Sequence, residues 1–313
     1  MARQNQSVVT EFILQGLSSQ LRTQTVLFMV FLVFYLLTMV GNILIMALIR
    51  ADCHLQSPMY FFLANLSLVD ICYISSYVPQ MLVNLLTKKR TISFFRCAAQ
   101  MYFSLAFGIT ECVLLGAMAY DRYVAICRPL LYATIMNRKL CMHMVVASWA
   151  SSLLSSTVIS SLTWQLPFCQ HNLLKHYYCE VQAVLALACA DTTLTKLVIF
   201  IFSILILFIP FLLIITSYAR ILSAILKIPS ARGQHKALST CGSHLMVVTI
   251  YYGTGICIYM NPSSRPPQDR DKVVALFYTV VAPMLNPLIY SLRNEEMKRA
   301  LRRAMKRPKS LFI

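Results

Sequence analysis

Two carboxylates, Asp70 and Glu111, stand inside long and otherwise apolar runs. An ionisable side chain at bilayer depth is expensive and usually functional. Two such acids brought close in a low dielectric cannot both stay ionised without a cation or a shared proton. The chemistry open to them is therefore the binding of a sodium-like cation or a proton, changing with conformational state. The plainer alternative is that each carboxyl is neutral, or is satisfied separately by Asn42, Ser67 and Asn286. A second feature is Asp121-Arg122-Tyr123. An adjacent acid and base at a membrane boundary can hold each other in one state and release in another; for a lone Arg there, snorkelling would be the default. Nothing points to catalysis: the sequence shows no metal-ligand cluster, nucleophile–base arrangement or phosphate loop.

The elements that must carry these residues follow from composition. Apolar residues make up 58% of 313 and charged residues 12%, about half the charge of a soluble domain. Most of the chain therefore has lipid as its solvent. Seven runs are long enough for the ~20 residues that span a hydrocarbon core: 25–49, 58–86, 97–127, 140–163, 197–226, 237–260 and 273–292. They predict an all-α membrane protein, a seven-transmembrane helix bundle, with 1–24 as an N-terminal segment and 293–313 as a tail. Met1–Ser19 lacks the apolar core of a cleavable signal, so the first span is expected to act as an uncleaved signal anchor. In this frame Asp70 lies twelve residues into the second span and Glu111 ten residues before Asp121. These are depths of ~18 and ~15 Å at 1.5 Å per residue, which place both near mid-membrane.

With the N-terminus outside, 17 of the 28 Lys+Arg fall on the inner side, as the positive-inside rule requires. The formal charge of +17 then belongs to a membrane surface, and no nucleic-acid partner is expected. Asn5-Gln6-Ser7 is a glycosylation sequon in the outer segment, with Asn5 as its acceptor. Four of the 11 cysteines (Cys97, Cys169, Cys179 and Cys189) collect on the same side, an even number suited to two disulfides. These signals predict a multi-pass plasma-membrane protein with its C-terminus in the cytoplasm. There, Asn294 to Met305 reads as an amphipathic helix on membrane lipid. Met297, Ala300, Leu301, Ala304 and Met305 form its apolar face, Asn294 its N-cap, and Lys298, Arg299, Arg302, Arg303, Lys306 and Arg307 its basic face.

Longer motifs make the pattern specific. They are Gly41-Asn42; Pro58-Met59-Tyr60-Phe61-Phe62-Leu63 with Leu66-Ser67-Leu68-Val69-Asp70; and Met118-Ala119-Tyr120-Asp121-Arg122-Tyr123-Val124-Ala125-Ile126-Cys127. After these come Ser217-Tyr218; Lys236-Ala237-Leu238-Ser239-Thr240-Cys241-Gly242-Ser243-His244-Leu245; and Pro283-Met284-Leu285-Asn286-Pro287-Leu288-Ile289-Tyr290. Over its whole length the chain resembles the rhodopsin-like G-protein-coupled receptors, and within them the olfactory receptor family. The resemblance implies disulfides Cys97–Cys179 and Cys169–Cys189. It implies that Asp121 holds Arg122 at rest and frees it for a G protein when helix six swings outward. Tyr252 would stand where many receptors of the superfamily keep a tryptophan switch, and Asn286-Pro287 with Tyr290 would form a hinge. His244 would be a family-typical contact or an imidazole satisfied by a neighbouring helix.

Helix position and the same resemblance place a ligand among Ser104, Leu105, Gly108, Phe202, Ser203, Ile206, Gly255, Ile256, Tyr259 and Thr279. The set is apolar with a few hydroxyls and contains no carboxylate or base. It implies a small, neutral, mostly apolar volatile odorant, and the family implies a heterotrimeric stimulatory G protein that raises cyclic AMP. No cofactor is expected beyond bound sodium or a proton; the oligomeric state is left open. The runner-up is a receptor for a small lipid or metabolite. A transporter or channel fits worse, because no paired halves or pore-charge rings are visible.

Overall fold

The computed structural model describes residues 9–169, 172–227, 230–259, 269–292 and 294–306. Seven long helices cross: α1 Leu21–Ala51, α2 Pro58–Leu86, α3 Phe94–Cys127, α4 Arg138–Trp164, α5 Thr193–Ile225, α6 Ala231–Tyr259 and α7. The last is built from Asp269–Leu276, a π-helical turn Phe277–Val281 and Ala282–Leu292. Seven stretches are long and apolar enough to span a membrane. Most helices outrun the apolar spans read from sequence, because a helix keeps its backbone bonds as it enters the headgroup layer while the apolar run marks only the hydrocarbon core. α8, Glu295–Lys306, follows. Its N-cap is Asn294, whose Oδ1 accepts from the backbone N–H of Glu296 (3.0 Å) and Met297 (3.2 Å). Asn5 and Arg307 lie outside the described residues.

Local chemistry sets the helix ends. Pro58 opens α2, where a missing N–H costs nothing. Asn137 caps α4 by accepting from the Leu140 N–H. In lipid, helix contacts depend on close approach and not on hydrophobic force. Accordingly, a Cβ on Gly41 would stand 2.9 Å from Pro287 of α7, and one on Gly116 would stand 3.1 Å from Pro210 of α5.

The end of the bundle that holds the N-terminal strand and both disulfides, termed the outer end by convention, carries a structure that helical periodicity did not foretell. β1 (Glu11–Leu14) lies between β2 (Thr91–Ser93), which it pairs antiparallel, and β3 (Leu173–Leu174), which it pairs parallel. Phe12 and Leu14 point inward, and Phe12 is fully buried among the rings of Phe94, Trp164 and Phe168. Gly16 makes the turn out of β1 at φ +72°, a conformation other residues resist. Arg90 Nη1 ties that turn down by donating to the carbonyls of Gln15 (3.0 Å) and Ser18 (3.1 Å). Disulfides Cys97–Cys179 and Cys169–Cys189 hold the loop after α4 across the bundle.

Candidate functional site

That loop forms the lid of an outer cavity. From it, Tyr178 donates or accepts a 3.0 Å bond with the Tyr278 hydroxyl, and Tyr177 shares one of 3.0 Å with Thr279 Oγ1. Gln100 of α3 accepts from the Cys179 N–H (2.9 Å) and donates to the Ser76 carbonyl of α2 (3.2 Å). Beneath the lid is a cavity of about 90 Å³. Ser104, Leu105, Gly108, Ser203, Ile206 and Gly255 line it, drawn from α3, α5 and α6. Both serine hydroxyls already donate, Ser104 to the Met101 carbonyl (3.1 Å) and Ser203 to the Ile199 carbonyl (2.8 Å). What they offer a ligand is an acceptor oxygen. At the floor, the Tyr251 hydroxyl donates to the Gly108 carbonyl (2.5 Å); behind it, outside the lining, the Tyr252 hydroxyl donates to the Cys112 carbonyl (2.8 Å).

Three expected lining residues lie elsewhere. Phe202 packs into the outer core with Phe12 and Trp164, one residue and therefore ~100° away from Ser203 around α5. Ile256, next to Gly255, faces the groove between α5 and α6 by the same turn of phase. Thr279 is held in the π-helical turn, where Tyr77 donates to its carbonyl and Tyr177 meets its hydroxyl. The side chain of Tyr259 lies outside the described residues. Sequence reasoning missed Tyr73, Met101, Cys112, Tyr178, Tyr251 and Tyr278, and also Glu180, so the lining does include a carboxylate. Glu180 Oε2 accepts from the Ala183 N–H (2.9 Å), which commits its charge to the start of the short helix Val181–Leu185. The available signal was adjacency: Tyr178 and Glu180 flank Cys179, and a bridge to α3 draws both over the bundle.

At mid-membrane the acids meet. Asn286 Nδ2 donates to Asp70 Oδ1 and Oδ2 (3.1 Å each) and to Glu111 Oε1 (3.2 Å). All three side chains are buried. Glu111 Oε2, Asn286 Oδ1 and Ser67 Oγ are buried without hydrogen-bond partners among the described residues. Asn42 stands beside them but donates to the carbonyls of Thr38 (3.1 Å) and Pro283 (3.5 Å), joining α1 to α7. The group is a set of oxygen donors, the type that hard cations select.

Nearer the inner end, His244 joins three helices. Its Nε2 meets the Leu115 carbonyl of α3 at 3.1 Å, and its Nδ1 meets the Tyr218 hydroxyl of α5 at 2.9 Å. A carbonyl can only accept, so Nε2 carries the proton and Nδ1 accepts from Tyr218. Asp121 does not hold Arg122 as expected. Among the described residues no ion pair joins them; the Tyr132 hydroxyl donates to Asp121 Oδ1 at 2.7 Å, and Arg122 Nε is buried without a partner. Successive residues on a helix point ~100° apart, so neighbours in sequence do not face each other. Tyr123 is half-buried against Tyr120. Pro287 packs on Gly41, and the buried Tyr290 hydroxyl has no hydrogen-bond partner among the described residues.

α8 is fastened by contacts that composition did not reveal. Arg303 clasps Asp52 of the α1–α2 connection at 2.7 Å, and Tyr60 donates to Asn294 Oδ1 at 3.1 Å. Bonds from the His54 backbone and ring, together with Arg303, hold the Asp52 carboxyl down at about 2.

The pattern of the olfactory receptor family matches residues 31–307. The chain is 52% identical to human olfactory receptor 2G3 over 301 residues, covering 96% of this chain and 97% of that one. It is 50% identical to olfactory receptor 1E1 of Pan troglodytes over 312 residues, covering 100% and 99%. Human olfactory receptor 5A1 is 50% identical over 97% of each chain. A seven-helix membrane bundle with a lidded outer cavity, and likeness of this extent, show that the chain belongs to the olfactory receptor family and is a receptor, not an enzyme.

Proposed function

We propose that the chain is a plasma-membrane receptor, N-terminus outside, that binds a small, neutral, mostly apolar volatile in the outer cavity. The agonist then drives a stimulatory, olfactory-type G protein to raise cyclic AMP. The observation that carries this is the cavity's position. It is closed outside by the disulfide-held loop and floored by Tyr251 of α6, so a ligand entering it presses on the helix that His244 docks. The cavity of about 90 Å³ is below the roughly 300 Å³ of a typical ligand site, which favours small agonists and an opening of the α3–α6 contact when they bind. Ser104 and Ser203 accept a bond from an alcohol-type ligand. Movement of α6 away from Leu115 uncovers Arg122 for the G protein.

The mid-membrane oxygens are proposed to hold one sodium ion or one proton in the docked state. Asp70 and Glu111 supply charge, Ser67 and Asn286 the neutral oxygens.

The test is cyclic AMP in cells expressing the chain with an olfactory-type stimulatory G protein, over panels of neutral, acidic and amine volatiles. Neutral compounds are expected to be strongest, and Arg122→Ala to abolish the response at unchanged surface expression. Carboxylic acids or amines giving the strongest response would overturn the ligand class, and a current without ligand would overturn the receptor reading. For the ion site, sodium should raise the thermal midpoint of the purified receptor over potassium, and Glu111→Gln should remove the difference.

A further inference from the structure

The short connection between α1 and α2 carries Asp52, Cys53 and His54 in succession. Among the described residues, these are the only three His, Cys, Asp or Glu side chains whose donor atoms converge, all lying within 4.8 Å of one another. His54 Nδ1 stands 2.8 Å from Asp52 Oδ1 and 3.6 Å from Cys53 Sγ. Adjacent ligands have none of the spacings by which metal sites are read in a sequence. Here the 3₁₀ turn Cys53–Leu55 gathers them.

The turn is well anchored. Leu55 is fully buried, and its N–H donates to the Asp52 carbonyl (3.0 Å). The Asp52 N–H donates to the Leu48 carbonyl (3.0 Å), and Gln56 Nε2 to the Ile49 carbonyl (2.9 Å). The two oxygens of Asp52 serve different neighbours. Oδ2 accepts from Arg303 Nε of α8 at 2.7 Å, while Oδ1 is turned to His54, whose backbone N–H also donates to it at 3.0 Å. The side chains of Cys53 and His54 are exposed and can adjust without disturbing the core.

A thiol, an imidazole and a carboxylate are the mixed sulfur, nitrogen and oxygen donors that zinc takes, whereas calcium and magnesium take oxygen. Zinc bonds of about 2.0–2.3 Å in a tetrahedron put neighbouring donors roughly 3.4–3.6 Å apart. The Sγ–Nδ1 edge already has that length. The Nδ1–Oδ1 edge of 2.8 Å needs to open by about 0.6 Å to reach it.

We propose that Asp52, Cys53 and His54 form a binding site for a zinc ion, with water in the fourth position. Zinc takes the thiolate and the neutral imidazole. The Cys53 proton is therefore released to solvent, and the ring keeps its proton on Nε2 instead of Nδ1. Asp52 also fastens α8 through Arg303, so the ion sits at the joint between α8 and the bundle. On the topology proposed above, the turn faces the cytoplasm, where thiols stay reduced; zinc binding itself does not depend on that topology.

The test uses the purified, reduced full chain in nanodiscs, without a polyhistidine tag. Zinc is titrated against a chromophoric chelator, and cobalt is added separately as a spectroscopic stand-in. The cobalt form is expected to show a near-ultraviolet thiolate charge-transfer band with the visible bands of a tetrahedral ion. Cys53→Ser should remove the charge-transfer band. Cys53→Ser, His54→Ala and Asp52→Asn should each weaken zinc at least about tenfold, the cost of disturbing even an outer-shell partner. Because Asp52→Asn also breaks the clasp on α8, Arg303→Ala is the control: it breaks the same clasp, keeps all three donors and should retain the cobalt spectrum. Absence of the charge-transfer band from the unaltered chain, its survival in Cys53→Ser, or zinc affinity unchanged by His54→Ala or Asp52→Asn would overturn the site.

Discussion

At the scale of single residues, buried hydrogen bonds decide more than charge does. His244 spends both ring nitrogens on neighbouring helices. His244→Phe leaves the Leu115 carbonyl and the Tyr218 hydroxyl stranded in a dry interior, at about 1–3 kcal/mol each. The docked position of α6 loses that support, so basal cyclic AMP should rise several-fold without ligand at matched surface expression. An unchanged baseline would mean that His244 does not hold α6. Asn286 is the one described donor to both mid-membrane acids. Asn286→Leu should lower stability by about 1–3 kcal/mol, because it leaves buried carboxyl oxygens without their donor. Differential scanning of the purified receptor would read this as a lower midpoint.

At the scale of elements, the loop after α4 is held by side chains that plug the bundle as well as by disulfides. His176 is buried between Tyr177 and Tyr178, with ring centroids 4.5 and 4.7 Å away. Burial, and then the nearby Lys272 ammonium, push its pKa from 6.5 down to about 3. The folded loop thus keeps the neutral ring, while the unfolded loop takes up a proton below pH 6.5. Stability is full above that value and falls as pH drops toward 3, by about 2 kcal/mol at pH 5. Hydrogen-exchange protection factors over residues 173–179, corrected for the intrinsic pH dependence of exchange, should fall between pH 6.5 and 5, and His176→Phe should flatten that dependence. α8 shows a different division of labour. Met297 and Ala300 are buried against the bundle, while Leu301 and Met305 stay exposed. One apolar stripe therefore serves both protein and lipid.

At the scale of the whole molecule, a bundle core is capped by a second, outer core built around Phe12, Ile92, Leu174 and Val184. The N-terminal strand contributes the centre of that cap. Phe12→Ala should cost about 3–5 kcal/mol, the usual range for emptying a buried aromatic site. The expected readout is a lower thermal midpoint and reduced surface display. If both stay at wild-type levels, the cap folds without β1.

Much of this architecture is legible in the chain itself. Seven apolar runs must be helices, because lipid leaves no other partner for backbone polar groups than a closed barrel, and the runs are far too long for barrel strands. Asp70, Glu111 and Asn286 could be picked out as exceptions within those runs. The helix-three and helix-six motifs named the family that the comparisons show. Only the tertiary structure decided what faces what. Helical phase turned Phe202 and Ile256 out of the cavity and kept Asp121 from Arg122. The Cys97–Cys179 bridge brought Tyr178 and Glu180 in. The strand Glu11–Leu14 was invisible because four residues carry too short an alternation to stand out. Its partners lie 80 and 160 residues away, and only the folded chain brings them together.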